Sequence, residues 1–296
     1  SDLDGSLYFF SEAVGFEEVA REDGTVYLRA PDEFEHHSLS LTEADRAGVD
    51  HIGWQTADPE SLEGFADYLD GEGIDVTWVE DGEELGQGEA IRFSTPSGHR
   101  MELFYEVEKP DAPPDRRSKL RNKPYAETTT NPVAPRRIDH VQVWDDDALA
   151  LAEWLCEHLG FRVQESYDEE DGSRWGTFVS ANGVKIEAAV IQHREAGAPP
   201  ALNHVAYKVD SGDDLFAAAD AMRERGIPTD GFGQHSISRG KFCYARDPVS
   251  DHTIEFNAGG YLVFDPTWDP VAWKETDLED RQWVGRIAGG ENVPYS

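Results

Sequence analysis

The stretch LNHVAYKVDSGDDLFAAADAMRERGIPT, residues 202–229, decides the fold because the chain contains a second copy of its pattern. That copy, VDHIGWQTADPESLEGFADYLDGEGIDV, spans residues 49–76. In each, a strand with one histidine leads through a short turn into a helix, and the helix ends at a glycine suited to a left-handed stop. The apolar stripe predicted for the later helix consists of Leu215, Phe216, Ala219 and Met222. Similarity of this kind within one chain predicts a repeated structural unit.

The repeat extends beyond the helix. Residues 90–106 and 241–258 both have the pattern of a strand, a turn that contains proline and a strand that contains a glutamate. The histidine of the first segment and the glutamate of the second are 51 positions apart in both copies. A helix ending in Gly-Phe and a hairpin with a glycine-containing turn precede each copy, over residues 7–30 and 151–181. We therefore predict four similar modules, grouped two and two.

Four such modules predict an α+β fold of two domains, each built from paired βαβββ modules that form a half-open barrel. The first module lacks a clear first strand, and we expect that a few N-terminal residues are missing from the sequence. The predicted boundaries are residues 1–108 for the first domain, 109–137 for a linker rich in proline and basic residues, 138–262 for the second domain and 263–296 for a tail that packs on the second domain.

The chain is strongly acidic, with 60 Asp and Glu against 26 Lys and Arg and a net charge of −34 over 296 residues. An acidic coat keeps a protein soluble and self-repelling, and salt screens that repulsion. We therefore predict a cytoplasmic protein of a high-salt, halophilic cytosol, with an acidic mesophilic protein as the alternative. The same charge argues against nucleic acid or an anionic membrane as a partner. The two cysteines give no disulfide framework, and no apolar run approaches the length of a membrane span.

Three strands of the second half each carry one possible metal ligand on their more polar face. Alternate residues of a strand point to opposite faces. His204 in LNHVAY and Glu255 in HTIEF therefore point away from their apolar neighbours, and His140 in RIDHVQVW shares its polar face with Gln142. If the strands curl into a half-barrel, the three ligands converge inside it. Two imidazoles and one carboxylate on one side of a metal leave positions open for substrate and O₂, an arrangement that suits non-haem Fe(II).

Each ligand taken singly has an ordinary structural explanation. A histidine in a strand is more often a hydrogen-bonded core residue than a ligand, and a lone glutamate is usually solvated. The joint placement of all three in a repeated module favours the metal site. The N-terminal half keeps His51 and Glu102 at the equivalent spacing but has no counterpart of His140. We therefore predict that this half is structural and binds no metal.

These residues resemble the type I extradiol ring-cleaving dioxygenases of the vicinal oxygen chelate superfamily, which include catechol 2,3-dioxygenase and homoprotocatechuate 2,3-dioxygenase. The resemblance covers nearly the whole chain. It includes TVYLRAPDEFEHHSLSL in the first half, the ligand strands IDHVQVW, LNHVAY and HTIEF, and the tail segment VAWKETDLEDRQWVG. The ligand strands alone would be weakly specific, since glyoxalases share them; the first-half and tail matches make the dioxygenase assignment more specific.

The resemblance implies an enzyme that cleaves a catechol ring beside its diol with O₂. It implies Fe(II), or Mn(II) as in some members, bound by His140, His204 and Glu255 of a catalytic second domain. A homotetramer is implied as well. In GQHSISRGKFCYARDP, His235 and Tyr244 match a pocket histidine and tyrosine of the family. Their implied role is hydrogen bonding to the catecholate oxygens and to the oxygen-derived intermediate.

Two departures from the family pattern bear on the substrate and on proton transfer. The family's acid/base histidine lies on the strand before the second ligand strand, but GVKIEAAVIQH has none in register: Glu187 or a neighbour occupies the place, and His193 lies too far along. Either Glu187 takes over proton transfer, or the reaction differs from simple catechol cleavage. Gln142 and Arg281 are predicted substrate contacts. By resemblance, Arg281 matches one of the arginines with which homoprotocatechuate enzymes bind the substrate carboxylate, but Asp230 stands at the position before GFGQH. This departure favours a neutral or differently substituted catechol.

Two alternative functions stay open on the sequence. A metal-dependent isomerase or lyase of the glyoxalase type would need no O₂; the missing acid/base histidine favours it slightly, whereas His235 and Tyr244 oppose it. A non-enzymatic small-molecule binding protein of the same superfamily is the other alternative. Such members generally lack the metal triad.

Overall fold

Helices and strands follow the order that the repeat predicts. The computed structural model describes residues 2–126, 135–182, 185, 188–265, 267–274 and 277, together with the backbone of 283–284. The helices are α1 (Leu3–Leu7), which continues as a π-helix over Tyr8–Val14, α2 (Pro59–Gly71), α3 (Ala148–Leu159) and α4 (Gly212–Glu224).

The strands divide between the two halves of the chain. Those of the first half are β1 (Glu17–Glu22), β2 (Thr25–Arg29), β3 (Leu39–Thr42), β4 (Ile52–Gln55), β5 (Thr77–Val79), β6 (Ala90–Ser94) and β7 (Arg100–Phe104). Those of the second half are β8 (Arg137–Asp145), β9 (Arg162–Asp168), β10 (Arg174–Ser180), β11 (Ala189–His193), β12 (Ala201–Lys208), β13 (Thr229–Gln234), β14 (Gly240–Arg246), β15 (Thr253–Gly259), β16 (Val271–Lys274) and β17 (Trp283–Val284).

The second half forms one ten-stranded sheet in the order β16-β9-β10-β11-β8-β12-β15-β14-β13-β17. Within each module, the first and last strands pair in parallel: β8 with β11, and β12 with β15. The two modules join where β8 and β12 pair antiparallel. As a result, the three strands predicted to carry metal ligands, β8, β12 and β15, are direct neighbours.

The first half is built differently from the second. Its described strands form a three-stranded sheet, β1-β2-β3, and a separate four-stranded sheet, β4-β7-β6-β5. The four-stranded sheet repeats the β12-β15-β14-β13 order, with β4 and β7 parallel. No strand of the described residues takes the place of β8 between the two sheets.

Two hydrophobic cores hold the molecule together, and each combines one module from each half of the chain. The first core packs residues of the N-terminal helical segment and β2, such as Phe9 and Leu28, against Tyr207 and Phe256 of the second half. The second core packs α2, β6 and β7 against α3, β8 and β11. The two halves therefore do not have separate cores. Val205, at the junction of the modules, packs against both.

Helix α4 buries its predicted stripe with one exception. Leu215 and Met222 are buried, and the stripe continues through Ala218. The placement of Phe216 in the stripe was wrong, because this side chain is 56% exposed and stacks on Phe232 with ring centroids 4.7 Å apart. In a helix, positions 215, 218 and 222 share one face, whereas position 216 lies about 100° away.

Segments of the tail lengthen the large sheet at both ends. β16 pairs in parallel with β9 at one edge, and β17 pairs antiparallel with β13 at the other. Among the described residues, no helix is both long and apolar enough to cross a bilayer.

Candidate metal centre

The side chains of His140, His204 and Glu255 meet on the polar side of three adjacent strands. One ligand atom from each lies within 4.8 Å of the other two. Oε2 of Glu255 is 2.9 Å from Nε2 of His204 and 3.6 Å from Nε2 of His140, and the two Nε2 atoms are 3.4 Å apart. All three side chains are at most 4% exposed. Two imidazole nitrogens and one carboxylate oxygen thus face a common point away from bulk water.

The apolar side of each strand accounts for this convergence. Val141 of β8 belongs to the second core, and Ile254 and Phe256 of β15 belong to the first. Because side chains alternate along a strand, burying these residues under the helices directs the ligands to the opposite face. The faces predicted from the sequence are those seen in the structure.

Polar partners orient both histidine rings. Nδ1 of His140 lies 3.1 Å from Oδ2 of Asp139, and Nδ1 of His204 lies 2.8 Å from Oδ1 of Asn203. With an oxygen acceptor at each Nδ1, the proton resides there and Nε2 carries the lone pair. The donor set therefore fits a divalent cation such as Fe(II) or Mn(II): two neutral imidazoles and a carboxylate, each in the form that binds metal.

Electrostatics support the same protonation states. Burial alone would raise the pKa of Glu255, but the adjacent His140 and His204 side chains hold it well below the usual carboxyl range. Burial lowers the pKa of His204, and the neighbouring Glu255 carboxylate only partly offsets this lowering. At neutral pH the carboxylate is charged and the His204 imidazole is neutral, and neither has to lose a proton before it binds a cation.

His235 and Tyr244 lie beside this cluster. Oη of Tyr244 is 3.3 Å from Nε2 of His235, and the Tyr244 ring is 5.3 Å from that of His204, centroid to centroid. The His235 ring stacks on Phe242 at 4.1 Å. Burial lowers the pKa of His235 to about 4. A neutral imidazole and a phenol, each able to donate or accept one hydrogen bond, are thus paired at the edge of the metal cluster.

The remaining predicted site residues are less completely defined. Gln142 pairs with His204 across β8 and β12 and donates a hydrogen bond to Gln192, which also accepts one from Trp144. It therefore lies next to the cluster with its amide nitrogen bound to a neighbour. Glu187 and Arg281 lie outside the described residues.

The first half carries a related cluster at the equivalent positions. Glu102 is opposite Arg92 in the β6–β7 pair, as Glu255 is opposite Tyr244 in the β14–β15 pair. His51 reaches Glu102 at 3.6 Å and Glu84 at 3.8 Å. Glu84 was missed by sequence reasoning because it ends an acidic run that has the pattern of a solvated turn. Burial, together with the charge of Glu102, raises the pKa of Glu84.

A guanidinium occupies this cluster. Nε of Arg92 donates to Oε2 of Glu102 at 2.6 Å, and Nη2 of Arg92 lies 3.3 Å from Glu84. The other oxygen of Glu102 accepts from Gln87 at 2.8 Å. Where the second half has a neutral tyrosine, the first half has a positive charge paired directly with the carboxylate.

Comparisons with known proteins agree with this architecture. Residues 49–108 match the catechol 2,3-dioxygenase-like N-terminal domain, and residues 137–256 match the glyoxalase/bleomycin resistance protein/dioxygenase superfamily. The manganese-dependent 2,3-dihydroxybiphenyl 1,2-dioxygenase of Geobacillus genomosp. 3 is 43% identical over 96% of this chain and 90% of its own length. This chain belongs to the type I extradiol dioxygenases of the vicinal oxygen chelate superfamily.

Other members of the family align over almost the same length. The metapyrocatechase of Geobacillus stearothermophilus is 32% identical, covering 96% of this chain and 86% of its own. The crystal structure of the 2,3-dioxygenase LapB from Pseudomonas sp. KL28 superposes with a TM-score of 0.82 at 27% identity, covering 94% of each chain. The predictions of the family and of the fold class are confirmed.

Proposed function

We propose that this extradiol dioxygenase cleaves a catechol ring beside its diol with O₂, using a metal held by His140, His204 and Glu255. The observation that carries the proposal is the cluster itself. Three donor atoms from three adjacent strands lie within 4.8 Å of one another, buried and in their metal-binding forms. His140, His204 and Glu255 would hold the metal, and three protein ligands would leave further positions open for substrate.

When bound, the metal supplies the redox chemistry and acidifies the catechol hydroxyls. The chain supplies position and protons. Tyr244 and His235 form one hydrogen-bonded pair at the edge of the cluster, so a proton can pass between the phenol and the imidazole. We assign them to hydrogen bonding with the catecholate and with the reacting oxygen atoms. Glu187 is assigned to proton transfer in place of the family's histidine.

Fe(II) is the metal that we propose, with Mn(II) as the alternative. A site of two imidazoles and one carboxylate accepts either ion. The Geobacillus relative that shares 43% of the sequence is named as manganese-dependent, which supports Mn(II). Reconstitution of the metal-free protein with each ion separately decides between them.

A neutral catechol is the substrate class that we propose. Asp230 on β13 is opposite Tyr244 on β14, so an acidic residue stands near the reacting face where an arginine would be needed to bind a substrate carboxylate. The relative from Geobacillus genomosp. 3 is named for 2,3-dihydroxybiphenyl, which carries no carboxylate. We expect turnover of 2,3-dihydroxybiphenyl and of catechol, with a weak contribution at most from a contact with Arg281.

The test uses protein stripped of metal, reloaded anaerobically with Fe(II) or Mn(II), and mixed with each catechol in air. We expect O₂ uptake together with the yellow ring-fission product. His204→Ala should abolish both. His51→Ala, which removes the equivalent histidine of the first half, should leave both close to wild type. Absence of O₂ uptake across neutral and carboxylated catechols, with metal shown to be bound, would refute the proposal and favour an isomerase or lyase.

The larger organisation of the protein is also proposed. The boundaries at residues 108, 137 and 262 divide a structural first domain without metal from a catalytic second domain and its tail. The net charge of −34 supports a high-salt cytosol. Family resemblance supports a homotetramer, which light scattering coupled to gel filtration in about 2 M KCl, where the Debye length is below about 3 Å, would test.

A further inference from the structure

Behind the metal cluster, Lys208 contacts Asn257 and Asp139. Each of these residues is hydrogen-bonded to one predicted metal ligand, Asn257 to Glu255 and Asp139 to His140. Lys208 is at the end of β12, with its side chain about one-fifth exposed. Its Nζ donates to Oδ1 of Asn257 at 2.9 Å and to the carbonyl of Gly259 at 2.7 Å. Nζ also lies 3.9 Å from Oδ1 of Asp139. The first two contacts are hydrogen bonds, and the third is an electrostatic contact between opposite charges.

The contact between Lys208 and Asn257 determines which carboxylate oxygen of Glu255 faces the two histidines. Because an ammonium group can only donate, the oxygen of the Asn257 amide must face Lys208, and its NH₂ must face the other way. Nδ2 of Asn257 accordingly donates to Oε1 of Glu255 at 2.9 Å. Oε1 is thereby engaged, and Oε2 is the atom that faces both histidines. Asn257 is 2% exposed, so its amide is shielded from bulk water.

The contact with Asp139 reaches the second ligand. Asp139 accepts from Nδ1 of His140 and is 8% exposed. A buried carboxylate at this position needs a compensating cation, and Lys185 and Lys208 lie on its other oxygen at 3.2 and 3.9 Å. The chain has only seven lysines. Two of them surround this one aspartate.

Backbone packing leaves room for the arrangement. A Cβ atom placed on Gly240 would lie 3.0 Å from Nδ2 of Asn257, tighter than nearly all real contacts. Gly240 is opposite Gly259, whose carbonyl accepts from Lys208. The absence of a side chain at this point of β14 therefore lets the amide sit between Lys208 and Glu255.

From these contacts we infer that Lys208 is a positioning residue for the metal centre. It fixes the Asn257 amide so that Glu255 presents a single oxygen to the cation, and it helps to hold the negative charge of Asp139 behind His140. This inference rests on the proposed function, since it assumes that the cluster binds a divalent cation. Partners of metal ligands typically contribute about 10- to 100-fold in metal affinity.

The experiment measures Mn(II) affinity directly, by the electron paramagnetic resonance signal of free Mn(II) during titration of the metal-free protein. Lys208→Met should raise the dissociation constant by about 10-fold or more, and Lys208→Arg should recover part of the loss because it keeps the charge and the donors. Lys185→Met should have a smaller effect, because it removes only the Asp139 contact. Lys241→Met, at an exposed position of β14, is the matched control and should bind like wild type.

Asn257→Asp keeps the contact with Lys208 but removes the N–H donated to Glu255, so it should weaken Mn(II) binding as Lys208→Met does. It serves as the deciding variant if Lys208→Met does not fold. An affinity for Mn(II) within about threefold of wild type, in a folded Lys208→Met or Asn257→Asp protein, would overturn this inference but not the proposed metal site. If wild type itself bound no Mn(II), or His204→Ala bound it equally well, the proposed metal site and this inference would fail together.

Discussion

Arg92 gives the sharpest test of how the first half of the chain is stabilised. Glu102 is 1% exposed, and its carboxylate accepts from Arg92 at 2.6 Å and from Gln87 at 2.8 Å. Arg92→Met would leave the carboxylate buried with one neutral donor. Breaking a buried ion pair by removing one partner costs about 3–5 kcal/mol. Since the Arg92 side chain is 22% exposed, we expect the lower end, about 3 kcal/mol of the free energy of unfolding.

The assay is urea denaturation of metal-free protein followed by tryptophan fluorescence. Arg100→Met is the matched control, because Arg100 pairs with Asp50 at the surface, where both side chains are more than half exposed. Exposed pairs contribute at most about 1 kcal/mol, so this variant should stay near wild type. Adding Glu102→Gln to Arg92→Met should recover at least about half of the loss, since it removes the uncompensated charge.

Two results would refute this reasoning. One is a loss below about 1 kcal/mol for Arg92→Met, which would mean that Glu102 does not depend on the guanidinium. The other is a double variant no more stable than Arg92→Met, which would mean that the loss comes from packing and not from charge.

Three further predictions concern the reaction, pH and salt. Tyr244→Phe should lower kcat by about 100-fold while Mn(II) affinity stays at the wild-type value, because the phenol lies 3.3 Å from His235 and is not a ligand; product absorbance and metal titration check this. Burial raises the pKa of Glu33 from 4.5 to about 7, so the folded state favours the protonated acid. Its contribution to stability is complete below pH ~4.5 and is lost as the pH rises through ~7, by about 3 kcal/mol in total. Glu33→Gln should remove that part of the pH dependence in urea titrations, and an unchanged slope would contradict it. The net charge of −34 predicts a higher melting temperature in about 2 M KCl than in about 0.1 M KCl, and no rise would count against a halophilic protein.

Periodicity and repetition predicted the features that depend on local sequence. Alternation along β8, β12 and β15 separated His140, His204 and Glu255 from their apolar neighbours, and the repeat predicted that all three lie in similar modules. Strand pairing then brings these residues together. Local pattern is sufficient here because each strand needs only one apolar face for its covering helix.

Features that depend on contacts between distant segments could not be predicted in this way. Glu84 stands at the end of an acidic run, and nothing local distinguishes it from its solvated neighbours. It lies in the connection between β5 and β6, and only the fold brings it within 3.8 Å of His51. The sharing of each core between the two halves is not visible in the sequence either, since an apolar stripe does not identify its partner. Lys208 did carry a signal, because it lies on the same face of its strand as His204, two alternate positions further on.

The first half of the chain contacts both ends of β8, the strand that carries His140. At the start of the strand, the amide of Ile138 donates to Oε1 of the buried Glu33 at 2.8 Å. At its end, Nε2 of His99 lies 3.1 Å from Oδ2 of Asp145, and both side chains are buried. His140 lies between these two attachments. β8 also packs its apolar face into the core that α2, β6 and β7 help to form. The N-terminal half therefore helps to set the position of β8, together with the sheet in which β8 pairs.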